Sequence, residues 1–274
     1  KTDRSSADVY FLYYGQILHQ QNLLQDMVRT STYYTAFMEN KRDFEGSVVV
    51  DVGAGTGVLS FFALQAGAKH VYAIEASNMA EHMQRLIDAN SHWSQRITVI
   101  NGKVEEVTLP EKADILISEP MGTLLVNERM LETYVNARQR FLKPGGLMMP
   151  GLGRLHLAPL SDEYLHAEMS AVSDFWRQDS YYGINLGALY HHVIDIFPPN
   201  ILLAPPHTHI FDFKVRLAVP TACVVSPYDL TEWVFAKQTQ SEEEYYRINI
   251  PLTVIRQRSE MCHGIACWFG VLLR

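Results

Sequence analysis

Val48-Val49-Val50-Asp51-Val52-Gly53-Ala54-Gly55-Thr56-Gly57 is the stretch on which the reading of this chain turns. The β-branched run predicts a buried strand, and the glycines after it let the backbone turn sharply and approach a ligand before an apolar helix starts at Val58. In an open α/β sheet, ligands bind at this carboxyl end of a strand. Glu75 closes the next apolar run, Val71-Tyr72-Ala73-Ile74, about 20 residues further on, where a carboxylate can accept hydrogen bonds from both ribose hydroxyls. Together these features read as a nucleoside site. A dinucleotide fingerprint counted from Gly53 would place its third glycine at position 58, which is Val58, whereas the third glycine here is Gly57. A nicotinamide- or flavin-dependent oxidoreductase stays open as the alternative. A methyl-donor nucleoside has no pyrophosphate and needs only close backbone approach, with an acid such as Asp51 tolerated near its sulfonium or amino-acid end.

Outward from this loop, strand-like and helix-like runs alternate from Ser47 to Met149: Leu59 to Gln65, Met79 to Ala89, Ile97 to Ile100 and Ile115-Leu116-Ile117. That alternation predicts a doubly wound parallel sheet. Before it, Val9, Leu12, Leu18, Leu23, Leu24, Met27 and Val28 recur at helical spacing from Ser6 to Asn40 with a break near Gly15, which predicts two helices. After Pro144-Gly145-Gly146 the texture changes to alternating stretches such as Phe211-Asp212-Phe213-Lys214-Val215, expected to form a second, mainly antiparallel β unit. The fold class is therefore α/β followed by an antiparallel β domain. Its expected divisions are residues 1–45, 46–149 and 150–274, and residues 175–206 form an aromatic-rich insertion that must pack on something.

Composition sets the outer limits. At 274 residues and 47% hydrophobic content the chain can bury a substantial core, and it has no apolar run of about 18 residues to span a bilayer. Cys223, Cys262 and Cys267 form no disulfide framework or CxxC pair, so a reducing intracellular compartment and no metal are expected. The net charge of -7 argues against phosphate backbones and suits a basic partner. The chain opens on Lys1 and stops after an apolar run, Trp268 to Leu273, and it reads as an excised fragment.

Two carboxylates carry the chemistry. Glu119 leaves the strand Ile115-Leu116-Ile117-Ser118 at the ligand-binding edge, and Glu128 is expected to open a helix from Glu128 to Leu142, with Asn127 as its N-cap. A loop that leaves and re-enters the site would bring both acids onto one small target. Guanidinium is such a target: planar, always charged, with forked donors that match two carboxylates. Resonance makes it a poor nucleophile. Two anions gripping different nitrogens would polarise it and hold one nitrogen in line with a methyl donor, and a carboxylate would take the departing proton. A binding module that holds nucleoside and protein without chemistry is the reading from a different class.

The loop pattern resembles the class I, Rossmann-like methyltransferases. Tyr10-Phe11-Leu12-Tyr13-Tyr14-Gly15, Val28-Arg29-Thr30, Asp51 to Gly57, Glu75-Ala76-Ser77, Gly102-Lys103-Val104-Glu105-Glu106, Ser118-Glu119-Pro120-Met121-Gly122 and Asn127-Glu128-Arg129 resemble, in order and spacing, the motifs of type I protein arginine methyltransferases. Pro120, where most of that family has tryptophan, resembles the coactivator-associated (histone-) arginine methyltransferase subgroup. The resemblance implies S-adenosyl-L-methionine as cofactor, histone tails and other Arg-rich segments as substrates, mono- and asymmetric dimethylarginine as products, and residence in nucleus and cytoplasm. It implies that Tyr10, Phe11, Gln20, Arg29, Asp51, Gly53, Gly55, Gly57, Glu75, Val104 and Glu105 bind the cofactor. In that scheme Arg29 pairs its carboxylate, Glu75 its ribose and Glu105 its adenine amino group. Tyr10, Phe11 and Tyr14 would form a lid, with Tyr14 and Met121 in the arginine pocket and Glu119 and Glu128 catalytic. Leu23 stands where the family has another pocket methionine, Gly270 replaces an acid, and the family's Thr-His-Trp loop would fall beyond Arg274. His207, His209 and His263 do not match that loop, and the other histidines, including His191-His192, are expected at surface or structural positions. The resemblance also implies a β-barrel-like second domain whose 175–206 arm docks on the cofactor domain of a second copy. The outside of the helices after Gly57 and Glu75, with Phe61, Phe62, Leu64 and Met83, is the expected receiving surface.

Overall fold

The β-branched runs form one parallel sheet in the structure, a computed structural model that describes residues 4–160, 162–196, 201–202, 228–234 and 264–273. Its strands are β1 (Val48–Val52), β2 (His70–Glu75), β3 (Ile97–Asn101), β4 (Ala113–Ser118) and β5 (Leu142–Met149). They lie in the order β3-β2-β1-β4-β5, and every neighbouring pair is parallel. All five residues of β1 are buried, as a strand covered on both faces requires. The order reverses between β1 and β4, which opens a crevice at their carboxyl ends. Gly53, Glu75 and Glu119 leave the sheet at this end.

β5 is not foreseen in the sequence reading, because Pro144-Gly145-Gly146 looks like a break. The strand survives as an edge strand, where proline and glycine are tolerated, and the β4–β5 register shifts between Ala113 and Ile115. The helices that cover the sheet are α5 (Val58–Gln65), α6 (Met79–Ala89) and α7 (Met130–Phe141). On α6, Met79, Ala80, Met83 and Ile87 fall on one buried face. Met83 and Ile87 join Phe37, Phe44, Ala63, Ile115 and Ile117 in the core.

Between residues 6 and 40 the chain forms three helices rather than two: α1 (Arg4–Tyr14), α2 (Ile17–Gln25) and α3 (Met27–Glu39), with a short α4 (Lys41–Phe44) after them. The unforeseen break is at Asp26, whose carboxylate accepts from Arg29 N at 3.0 Å and so caps α3. Apolar spacing runs straight through this cap, which is why periodicity missed it.

The chain divides into two compact units, one reaching Gly153 and taking in Val271, the other beginning at Arg154. A four-stranded sheet contains β6 (Leu152–Leu160), β7 (Ile201–Leu202), β8 (Tyr228–Val234) and β9 (Gly264–Leu272), in the order β7-β9-β6-β8. β7 pairs parallel to β9. Within the second unit, α8 (Glu163–Asp174) and α9 (Tyr190–Ile196) flank two 3-10 turns, Phe175–Arg177 and Gly187–Leu189. This segment keeps apolar side chains in solvent: Tyr182 is 91% and Ile184 61% exposed. Residues 203–227, with the alternating run from Phe211 to Val215 and with His207 and His209, lie outside the described residues, as do Cys262 and His263. His191 and His192 are exposed. Among the described residues no helix is long and apolar enough to cross a membrane.

Candidate active site

At the crevice, a cavity of about 800 Å³ is lined by residues from α1, α2, α3, the carboxyl ends of the sheet strands and the first turn of α7. The loop after β1 forms its floor. Gly53 and Gly55 adopt φ of +68° and +55°, the left-handed region that glycine tolerates best. A Cβ on Gly55 would sit 2.9 Å from Gln20 Oε1, and one on Gly53 would sit 3.2 Å from Met130 Cε. Glu75 anchors the loop: its Oε2 accepts from Gly55 N at 2.8 Å and its Oε1 from Ser77 N at 2.7 Å. Each oxygen keeps further acceptor capacity for a diol. Gln20 donates to Tyr14 O at 2.9 Å and thereby ties α2 to the end of α1.

The two carboxylates meet in the same cavity. Glu119 Oε2 accepts from Arg29 Nη2 at 3.1 Å, an ion pair whose side chains are 22% and 21% exposed. Burial raises the Glu119 carboxyl above its ordinary value, and Arg29 opposes that shift. Arg29 Nε is buried without a hydrogen-bond partner, so this guanidinium can still take an incoming carboxylate. Glu128 is gripped from α1: Tyr14 Oη donates to Oε1 and Oε2 at 2.9 and 3.0 Å, and Tyr10 Oη to Oε2 at 3.1 Å. Burial, then the Glu128 charge, pushes both phenols well above their ordinary value, so they stay protonated donors. Phe11 lines the cavity beside them, with Lys103 Nζ 5.6 Å from its ring centre.

The loop from Glu119 to Glu128 is under strain. Leu124 and Leu125 take φ of +50° and +71°, unusual for branched side chains. It is held by paired backbone bonds between Gly122 and Leu125, at 3.4 and 2.9 Å, and by Leu125, only 1% exposed. α7 then starts at Met130 rather than at Glu128, and its cap is Arg129 at φ +59° rather than Asn127. Glu128 therefore belongs to the loop, and the helix-start role expected for it is corrected.

A family model described as PRMT5 arginine-N-methyltransferase matches residues 13–149, half of the chain. The chain belongs to the arginine N-methyltransferase family. It is 56% identical to the probable histone-arginine methyltransferase CARM1 of Oryza sativa subsp. indica, over 99% of this chain and 49% of that protein. The open-conformation crystal structure of Arabidopsis thaliana protein arginine methyltransferase 10 superposes with a TM-score of 0.74 at 32% identity, over 96% of this chain and 74% of the other. The Trypanosoma brucei PRMT1 enzyme-prozyme heterotetrameric complex with AdoHcy gives 0.68 at 30% identity, over 84% and 65%. The chain spans about half the length of the curated relatives it matches.

Of the residues that the family resemblance singled out, Tyr10, Phe11, Tyr14, Gln20, Arg29, Gly53, Gly55, Glu75, Val104, Glu105, Glu119 and Glu128 line this one cavity. Three others lie behind it. Asp51 is 1% exposed, and its carboxylate accepts from Ser60 Oγ at 2.7 Å. Gly57 caps α5 at φ +81°, where a Cβ would meet Met83. Met121 packs against the core, with its Sδ 3.9 Å from Tyr33 Oη. Leu23, the departure from the family pattern, does line the cavity. Sequence reading missed Lys103, Met130 and Thr133 as lining residues. The last two sit in the first turn of α7 and would have been found had the helix start been placed at Met130.

Proposed function

We propose that the chain is the catalytic portion of a protein arginine N-methyltransferase that uses S-adenosyl-L-methionine. The observation that carries this reading is that Glu119 and Glu128 share a cavity with the Gly53–Gly55 loop and Glu75. The residues fit the cofactor: the glycines allow a nucleoside close to the backbone, Glu75 offers acceptors to a ribose, and Arg29 offers a guanidinium to a carboxylate. When bound, the cofactor supplies an electrophilic methyl group on a sulfonium. Glu119 and Glu128 grip the substrate guanidinium through charge-assisted hydrogen bonds and draw its positive charge away from the nitrogen that attacks. Tyr10 and Tyr14 orient Glu128, and one carboxylate accepts the proton released on transfer. Glu119 already holds a guanidinium, that of Arg29, so the geometry of this grip is one the site makes with its own residues.

By extension from its relatives, the substrates are histone tails and other Arg-rich segments, the products mono- and asymmetric dimethylarginine, and the setting nucleus and cytoplasm. The acidic net charge of -7 supports a basic protein partner over nucleic acid. The proposed divisions are the capping helices, 1–45, the cofactor domain, 46–149, and a β-barrel-like domain, 150–274. The proposed assembly is a homodimer in which the arm of one copy docks on the cofactor domain of the other. Leu64 and Met83, expected on the receiving surface, are 4% and 0% exposed and are withdrawn, because they face the sheet. Val9, Leu12, Leu18, Met27 and Val28 on α1 to α3 are exposed instead and supply the apolar area such a contact requires. The deciding experiment measures labelled methyl incorporation into a histone mixture, with the full-length protein beside this chain. Absence of transfer by both would sink the proposal.

A further inference from the structure

We propose that Arg140, which does not line the cavity, is a positioning residue that sets the preference for adenine as the cofactor base. The proposal rests on the reading of Glu105 as the acceptor for the adenine amino group. After β3 the chain makes a single turn, with Glu106 N and Val107 N both donating to Lys103 O, at 2.9 and 3.1 Å. The carbonyls of Glu105 and Val107 are both taken by one guanidinium: Arg140 Nη1 donates to Glu105 O, and Nη2 to Val107 O at 2.6 Å. A planar fork can bridge two carbonyls two residues apart, whereas an ammonium delivers one point charge. Thr133, two helical turns earlier on the same face of α7, reaches the Glu105 carboxylate, Oγ1 to Oε1 at 3.4 Å. Lys112, just before β4, donates its Nζ to Gln139 O at 3.3 Å and Arg140 O at 2.5 Å and so ties the end of α7 to the start of that strand.

Glu105 is thus held at its backbone by Arg140 and touched at its side chain by Thr133, and both residues belong to the helix that begins two residues after Glu128. One rod fixes the carboxylate facing the base relative to the carboxylate facing the guanidinium. An acceptor carboxylate favours a 6-amino purine and disfavours a 6-oxo purine, which offers an oxygen in place of the donor. That preference needs the loop to stay where α7 puts it. If Arg140 is removed, the turn can relax and the base preference falls, while chemistry on bound cofactor continues.

The test compares inhibition by S-adenosylhomocysteine and S-inosylhomocysteine in wild type, Arg140→Met, Arg140→Lys and Glu105→Gln. Thermal melts confirm that each variant is folded. Arg140→Met is expected to lower the adenine-to-inosine preference and raise cofactor KM by about tenfold, the worth of one charge-assisted contact, with kcat at saturating cofactor within about twofold. Arg140→Lys, which keeps one carbonyl contact, should recover part of the preference. A preference in Arg140→Met equal to wild type overturns the proposal. If Glu105→Gln keeps full preference, the reading of Glu105 fails by itself. In that case a loss in Arg140→Met still supports positioning, acting through the loop backbone. Should Arg140→Met fail to fold, Arg140→Lys decides: reduced preference supports the proposal and unchanged preference overturns it.

Discussion

Replacing Glu119 by glutamine should separate catalysis from cofactor binding, with effects of opposite sign. The substitution is nearly isosteric but removes the charge that accepts from Arg29 at 3.1 Å and that would accept from a substrate guanidinium. Losing one preorganised, charge-matched group at a reacting centre costs about 3–4 kcal/mol of transition-state stabilisation, a fall in kcat of about 10²–10³-fold. Cofactor affinity behaves differently. An incoming carboxylate must compete with Glu119 for Arg29, and in Glu119→Gln that competitor is neutral. The pair is about a fifth exposed, so solvent screening limits the gain, and cofactor Kd should stay level or tighten by up to about tenfold. Single-turnover methyl transfer and calorimetric titration with S-adenosylhomocysteine measure the two quantities. Transfer within about tenfold of wild type, or a clearly weakened cofactor Kd, would refute the assignment of Glu119.

Tyr14→Phe removes the hydroxyl whose single proton is shared between both oxygens of Glu128, leaving only the Tyr10 contact. It should lower kcat by about tenfold while cofactor Kd moves by less than about threefold, as steady-state kinetics and titration can check. Burial raises the Asp51 carboxyl to about 7, with the Ser60 hydrogen bond opposing and the Glu75 charge reinforcing it. A raised folded-state value means that the native protein holds the extra proton between the ordinary carboxylate range and about 7, so stability should fall as pH rises through that window and level off above it. Melts across pH 4 to 8 should show that slope in wild type and a flatter one in Asp51→Asn. Deleting residues 177–199 should yield a monomer with weakened cofactor binding, measured by sedimentation at micromolar concentration. A deletion variant that stays dimeric would rule out the arm.

The sheet was legible because its signals are local. Five of five residues in β1 are buried, and a buried parallel strand must be almost wholly apolar, so Val48 to Val52 announces itself. The glycine turn and the acid that ends β2 are equally local. β5 was hidden because an edge strand tolerates residues that would break an interior one, and Pro144 to Gly146 therefore carried the wrong message. The cap at Asp26 was hidden because it rests on a single side-chain contact, invisible to apolar spacing. The start of α7 was misplaced for a related reason: Asn127 and Glu128 are good helix-start residues, yet the strained turn through Leu124 and Leu125 takes both into the loop.

Partnership was the part of the site that sequence could not supply. Motifs named Arg29, Glu119, Tyr14 and Glu128 one by one, each for a ligand, but a buried charge or phenol needs a hydrogen-bonding partner at all times. The structure supplies those partners from within: Arg29 with Glu119, and Tyr10 and Tyr14 with Glu128. These pairs join segments 90 and 114 residues apart in sequence, a separation that no local pattern encodes. They also link the two halves of the proposed site. A carboxylate that draws Arg29 toward itself weakens the hold on Glu119, and a guanidinium that enters between Glu119 and Glu128 loosens the hold of Tyr10 and Tyr14. By reciprocity, each ligand alters the affinity of the other by the same factor. Glu119→Gln should therefore shrink this coupling toward unity, so the dependence of cofactor Kd on an arginine peptide, strong in wild type, should nearly vanish in the variant.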